Sequence, residues 1–324
     1  MIADVPHSGP RAINLENEWL QITVLPEVGA KIYDFVSKRT GRNFLWHNPR
    51  IAPQPYPIEG IFDNYWCGGW DDCFPTCDPC ELRGEHYPGL GELRSLHWQV
   101  DSTDSEGGDS VVRLSAFGPI SPVRAEKTLI LQNDAPVLRI RYEITNLGVL
   151  PVDFIWGTHP ALQATGETTL RIPAQLGIVG EASAPKLGTP GQRYHWPSLE
   201  VEGRVVDMSR VQHREAGIYC GHYVTQLTEG WYVVEDRQTG EGFLLQFPLD
   251  ICPYLWLWLT YGGYRGHYHV IVEPWTSYPV SLAKAIAEKT NRCLQPGEKF
   301  TVELRATAFA RPETWQEALK RILP

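Results

Sequence analysis

The sequence predicts an all-β protein, a large antiparallel β-sandwich with few short helices, and three observations carry that prediction. Apolar residues recur mostly with period two, Gly, Pro, Asn and Asp punctuate the runs, and helical periodicity is scarce. The cleanest run sets Leu138, Ile140, Tyr142 and Ile144 against Arg139, Arg141, Glu143 and Thr145, which gives a strand one apolar and one charged face. Similar runs occupy residues 20–25, 111–117, 127–131, 152–156, 231–234, 243–247, 254–260, 267–272 and 300–309. Turn chemistry separates them, as in Asn133-Asp134-Ala135-Pro136 and Pro296-Gly297-Glu298. Two helices are expected. One spans residues 281–289, and a terminal one spans 312–323, with Pro312 in its first turn and Trp315, Leu319 and Ile322 on one face.

Two stretches lack periodicity. Residues 50–91, rich in Pro, Gly and aromatics, read as a long functional loop, and residues 180–197 as a surface excursion. No repeat, low-complexity tract or break in composition divides the chain, so residues 1–324 are expected to form one domain.

The 324 residues are 43% hydrophobic, enough for a sizeable core. Against 38 acidic residues stand 29 basic ones, and the net charge of −9, without a basic patch, argues against nucleic acid or an anionic membrane as partner. The amino-terminal residues lack the charged and apolar regions of a leader, and no apolar run approaches the roughly 20 residues that span a bilayer. A cytoplasmic protein is expected. Of seven cysteines, Cys67, Cys73, Cys77 and Cys80 crowd together, but only Cys77-Asp78-Pro79-Cys80 is a close pair of the kind structural zinc sites use twice. The expectation is reduced, small buried residues, with no metal and no cofactor. Trp (12) and Tyr (14) are abundant, and such rings pack against sugar faces as well as in β-sandwich cores.

Two motifs offer groups for proton transfer. Phe154-Ile155-Trp156-Gly157-Thr158-His159-Pro160 reads as a strand ending in a turn that projects an imidazole from the sheet rim. In His269-Val270-Ile271-Val272-Glu273-Pro274-Trp275-Thr276 an apolar strand ends in a carboxylate fixed by the following proline. From the residues alone, a histidine before proline such as His159 is more often a hydrogen-bonded turn residue than a catalyst, and a glutamate closing a strand such as Glu273 is usually just solvated.

The order of motifs goes further. Ile22-Thr23-Val24-Leu25-Pro26-Glu27-Val28-Gly29-Ala30-Lys31-Ile32, followed by Thr40-Gly41-Arg42-Asn43-Phe44-Leu45-Trp46, resembles the amino-terminal hairpins of the aldose 1-epimerase, or galactose mutarotase-like, superfamily. Cys67-Gly68-Gly69-Trp70-Asp71-Asp72-Cys73-Phe74-Pro75 resembles the loop that this family places beside the sugar, and Gly91-Glu92-Leu93-Arg94 with Trp98 resembles its next loop and strand. The Trp-x-x-His-Pro segment and Glu273-Pro274-Trp275-Thr276 fall where the family carries its acid and base. The resemblance covers roughly residues 13 to 310 and lies in motif order.

That resemblance implies a supersandwich fold and an aldose 1-epimerase that needs no cofactor. Glu273 would draw the proton from the C1 hydroxyl while His159 protonates the ring oxygen, and reclosure on the other face inverts the anomeric centre. It also implies sugar contacts from Trp70, Asp72, Glu92, Arg94, Trp258 and Tyr261, with His86 in place of a loop histidine. Two departures bear on the substrate. Cys67 stands where relatives often carry arginine and Leu90 where they carry histidine, which favours a neutral or uronic sugar over a sugar phosphate. The alternatives are a lyase or an epimerase at another carbon on the same scaffold, and a non-catalytic carbohydrate-binding protein.

Overall fold

The computed structural model describes residues 1–5, 9–183 and 187–323. Two sheets dominate. The larger has eleven strands in the order Ile2–Val5, Ala12–Glu16, Leu20–Leu25, Lys31–Ser37, Trp70–Cys73, Gly157–Gln163, Tyr268–Trp275, Tyr254–Tyr261, Ile218–Leu227, Ala174–Ser183 and Arg193–His195. The smaller has eight, in the order Thr168–Arg171, Trp231–Asp236, Glu241–Gln246, Lys299–Phe309, Val137–Asn146, Val123–Leu131, Asp109–Phe117 and Gln99–Glu106. All pairings between these strands are antiparallel. Among the described residues no helix is long and apolar enough to cross a membrane.

The inner faces of the two sheets share one apolar core. Leu138, Ile140, Tyr142 and Ile144 are buried there while Arg141 is exposed, as their alternation predicts. Phe243 of the smaller sheet meets Phe35 and Trp70 of the larger edge-on, with ring centroids 5.2 and 5.9 Å apart. Each such fully buried apolar side chain contributes about 1.5–3 kcal/mol relative to exposure.

Several boundaries differ from the expected ones. The terminal helix begins at Trp315, not in the turn of Pro312, because Thr314 caps it: its hydroxyl accepts from the Glu317 amide and the Glu317 carboxylate accepts from the Thr314 amide. The other predicted helix is confined to Leu282–Ala287. The segment 180–197 holds the end of Ala174–Ser183 and the edge strand Arg193–His195, while its residues 184–186 lie outside the described residues. The stretch 50–91 contains a short helix, Phe62–Tyr65, the small hairpin of Cys80–Leu82 and Glu85–Tyr87, and a strand of the larger sheet, Trp70–Cys73.

That last strand has no alternation to announce it because all four of its residues are buried. Successive side chains point to opposite faces, so Asp71 and Asp72 enter different environments. Asp71 faces outward, where Lys31 Nζ lies 2.6 Å away and Trp66 Nε1 donates at 3.1 Å. Asp72 faces the core, accepting from Lys127 Nζ at 2.8 Å, the Tyr142 hydroxyl at 2.6 Å and Thr158 Oγ1 at 3.1 Å. Lys127 belongs to Val123–Leu131 of the smaller sheet, so this pair ties one sheet to the other. Removing one partner of a buried pair strands the other charge. Lys127→Met is expected to cost about 3–5 kcal/mol in denaturant unfolding, whereas Arg113→Ala, which deletes the exposed Arg113–Glu106 pair, is expected to cost less than about 1 kcal/mol.

Candidate functional site

Adjacent strands of the larger sheet carry His159 and Glu273. Gly157 pairs with Trp275 and Ala161 with Ile271, so the register sets residue 159 directly opposite residue 273. His159 Nε2 and Glu273 Oε1 are 3.9 Å apart. Both residues lie inside strands in the middle of the sheet, which corrects the reading of a rim turn and a strand end. Pro160 has no N–H to give the ladder, and no registered pair lies between 157 and 161, where the two side chains meet. Two further features aim the carboxyl. Trp275 Nε1 donates to Glu273 Oε2 at 3.1 Å, which leaves Oε1 towards the histidine. Gly157 makes room for that indole, since a Cβ there would lie 2.3 Å from Trp275 Cδ2.

The pair opens into a cavity of about 420 Å³ on the outer face of the larger sheet. Phe62, Trp66, Trp256, Trp258 and Tyr264 supply ring faces and edges to its walls. The lining includes the carboxyl groups of Glu59, Asp63, Asp78 and Glu273 but no lysine or arginine among the described residues. His86 also lines it, with Nδ1 2.7 Å from Glu81 Oε1. Across the cavity the Tyr264 hydroxyl donates to Asp63 at 2.5 Å and Arg265 donates to the Asp63 carbonyl and Asn64 at 2.9 Å, so the segment around 62–66 is held to the turn after Tyr254–Tyr261.

Burial governs proton affinity at the pair. Desolvation lowers His159 from 6.5 to about 4, against the nearby Asp71 charge, which favours the imidazolium. Desolvation holds Glu273 well above its ordinary 4.5, outweighing the Trp275 hydrogen bond. Burial thus favours the neutral imidazole and the protonated carboxyl. His159 Nδ1 is buried and has no partner among the described residues, and Phe62 and Trp66 meet the ring edge-on.

Parity along the strands sorts the remaining predicted residues. On Trp70–Cys73 and Tyr254–Tyr261 alternate residues share a face, so Trp258 reaches the cavity while Tyr261, three positions on, enters the core. Trp70 and Asp72 likewise point inward, where Trp70 Nε1 donates to Thr158 Oγ1. Glu92 accepts the amides of Ile120 and Ser121, with the nearest contact at 2.8 Å, and braces a loop. Arg94 is 1% exposed, donates to the carbonyls of Gly89 and Gly60, and lies over the rings of Tyr56 and Phe62, so it supports the cavity's wall from behind. Of the predicted residues, the structure thus gathers His159, Glu273, His86 and Trp258 at the cavity and sets Trp70, Asp72, Glu92, Arg94 and Tyr261 outside its lining. Trp256 was legible, two residues before Trp258 and hence on its face. Asp63, Trp66 and Asp78 carried no local signal, because their segment lacks a period.

Leu90, one of the two departures, lines the cavity with a left-handed backbone, φ 60°. Cys67 is 1% exposed and lies away from it, near Lys31 and Asp71.

A family model described as a domain of unknown function (DUF5107) matches residues 8–78. Among solved structures, the Slr1438 protein from Synechocystis sp. PCC 6803 is 17% identical with a TM-score of 0.70, over 95% of this chain and 100% of that one. A galactose mutarotase related enzyme from Lactobacillus acidophilus is 14% identical with a TM-score of 0.64, over 94% and 99% of the two chains. A galactose mutarotase-like protein from Lactobacillus casei ATCC 334 is 17% identical with a TM-score of 0.63, over 92% and 100%. The chain has the galactose mutarotase-like fold.

The buried pair makes stability depend on pH in two opposed ways. Glu273 is raised in the folded state, so its contribution is full below 4.5 and is lost as pH rises towards the folded value. Glu273→Gln is therefore expected to unfold at a higher temperature than wild type at pH 8, with the gap closing towards pH 4. His159 is depressed, so its contribution is full above 6.5 and is lost as pH falls towards about 4. His159→Asn is expected to show a shallower acid-side fall in Tm than wild type. Calorimetry across pH 4–8 measures both.

Proposed function

We propose that the protein is an aldose 1-epimerase acting on a neutral aldose. The observation that carries this reading is the buried His159–Glu273 pair, 3.9 Å apart, at the floor of an aromatic-walled cavity. Opening a cyclic hemiacetal takes one proton to the ring oxygen and one from the C1 hydroxyl, and two neutral groups sharing a proton serve both ends. The Glu273 carboxyl gives its proton to the ring oxygen as the bond from C1 to that oxygen breaks. His159 takes the hydroxyl proton as the C1 carbonyl forms. The resulting carboxylate and imidazolium attract each other in a site shielded from water, which limits the cost of separating charge. Rotation about C1–C2 and the reverse transfers close the other anomer. Burial favours the proton on Glu273, which makes the carboxyl the first donor in this proposal, the reverse of the roles that resemblance alone suggests.

The carboxyl groups of Glu59, Asp63 and Asp78 in the lining, without a lysine or arginine among the described residues, oppose a phosphate or uronate and suit hydroxyl donors. The aromatic walls give a sugar ring its apolar contacts. The similarity of fold to a galactose mutarotase related enzyme supports the same reading.

Anomeric relaxation of fresh α-sugars, followed by polarimetry or NMR across a panel of neutral aldoses, tests this. Glu273→Gln and His159→Asn are expected to lower kcat by about 10²–10⁴-fold; wild-type rates no greater than those of the variants would sink the proposal. A new absorbing double bond in the product would identify a lyase instead. With a metal chelator present, kcat/KM is expected to hold its neutral plateau down through pH 6.5 and to fall towards about pH 4, where His159 becomes protonated and can no longer accept.

A further inference from the structure

Beside the acid–base pair lie two thiols that sugar chemistry does not use, converging on the carboxyl of Glu273. Cys73 ends the strand Trp70–Cys73, Cys77 follows in the loop, and Glu273 comes from the strand Tyr268–Trp275. One sulfur from each cysteine and one carboxylate oxygen all lie within 4.8 Å of one another. Gly157 stands between the two strands in register with both Cys73 and Trp275, and its missing side chain lets the Trp275 indole lie there. Cys73 and Glu273 are buried, and Cys77 lines the cavity.

The donor set is specific. Thiolate sulfur selects soft or borderline cations, and two sulfurs with one carboxylate fall within the ligand repertoire of zinc. Around one zinc ion, bonds of about 2.0–2.3 Å place donors roughly 3.5–4 Å apart, so closing the site needs movements of about 1 Å or less. Cys77 sits outside the regular strands, its amide donating to the Val280 carbonyl and its carbonyl accepting from the Leu90 amide, so the adjustment falls to its side chain. Charge points the same way. The buried lysines are committed elsewhere, Lys31 to Asp71 and Lys127 to Asp72, and no lysine or arginine lines the cavity among the described residues. Ionised Cys73 and Cys77 would therefore find no lysine or arginine at the cavity to balance them among the described residues, and a cation would supply that charge. Trp275 Nε1 donates to Glu273 Oε2 at 3.1 Å, a hydrogen bond that orients the carboxyl.

We propose that Cys73, Cys77 and Glu273 form a binding site for a thiophilic divalent cation, zinc being the ion that fits the donors, with the remaining coordination position open to the cavity. Binding expels the thiol protons and couples the loop bearing Cys77 to the central strands. A bound ion also withdraws Glu273 from proton transfer, so occupancy switches the epimerase off. That consequence rests on the function proposed above; the binding does not. The proposal gives Cys73 and Cys77 a role beyond that of small buried residues.

The test uses the full chain, reduced, freed of metal by chelation and carrying Cys293→Ser, because Cys293 is an exposed thiol. Cd²⁺ is titrated in while thiolate-to-metal charge-transfer absorption is followed in the ultraviolet, with elemental analysis for stoichiometry. One ion per chain with a saturable band is expected. Cys77→Ser and Cys73→Ser should each abolish the saturable band or weaken binding by roughly 100-fold, and Glu273→Gln should keep the band with affinity lowered about 10-fold or more. Failure of wild type to develop the band at equimolar Cd²⁺ would overturn the proposal, as would an undiminished band in the Cys73→Ser/Cys77→Ser double variant. If Cys73→Ser fails to fold, Cys77→Ser, at the half-buried cavity position, decides the matter alone once its circular dichroism matches wild type. Both readouts stand whether or not any sugar is turned over.

Discussion

Two carboxylates adjacent in sequence and opposite in direction are each neutralised by a buried lysine, and the rest of the structure is arranged around that fact. Asp71 and Asp72 share a strand with no exposed residue, so neither can be left to water. Lys31 answers on the outer face and Lys127 on the inner, the latter from the opposite sheet. The cost of desolvating four charges is met only because hydrogen bonds from Trp66, Tyr142 and Thr158 complete the coordination of the carboxylates. Such an arrangement tolerates one register, since a shift of a single residue would exchange the two faces.

The same constraint shapes the cavity. With both lysines engaged, Glu273 is left as a buried carboxyl without a cation, and His159 as a buried imidazole beside it. Desolvation then shifts the two in opposite directions, and in each case favours the neutral form. A site of this kind is poised for transfer between neutral groups. Its want of positive charge is also what makes the neighbouring thiols a place for a cation.

Much of the architecture was legible because it follows from period two. Wherever one face of a strand meets the core and the other meets water, as in Val137–Asn146, alternation declares the strand and its inward residues together. Trp70–Cys73 escaped because both its faces are covered, and polar residues buried in pairs look like a loop when read one at a time. The terminal helix was legible in its apolar face but not in its start, which depends on the capping exchange between Thr314 and Glu317.

By itself the sequence determined the antiparallel class, the strand-bearing segments with an exposed face, and the order of motifs that singled out His159 and Glu273. Only the tertiary structure decided that these two meet across neighbouring strands, that Trp258 joins them while Trp70, Asp72 and Tyr261 turn inward, and that Cys73 and Cys77 converge on the same carboxyl. The physical reason is that a side chain's face depends on its strand's register and neighbours. Those are fixed by pairings between segments far apart in the chain, such as Gly157 with both Cys73 and Trp275.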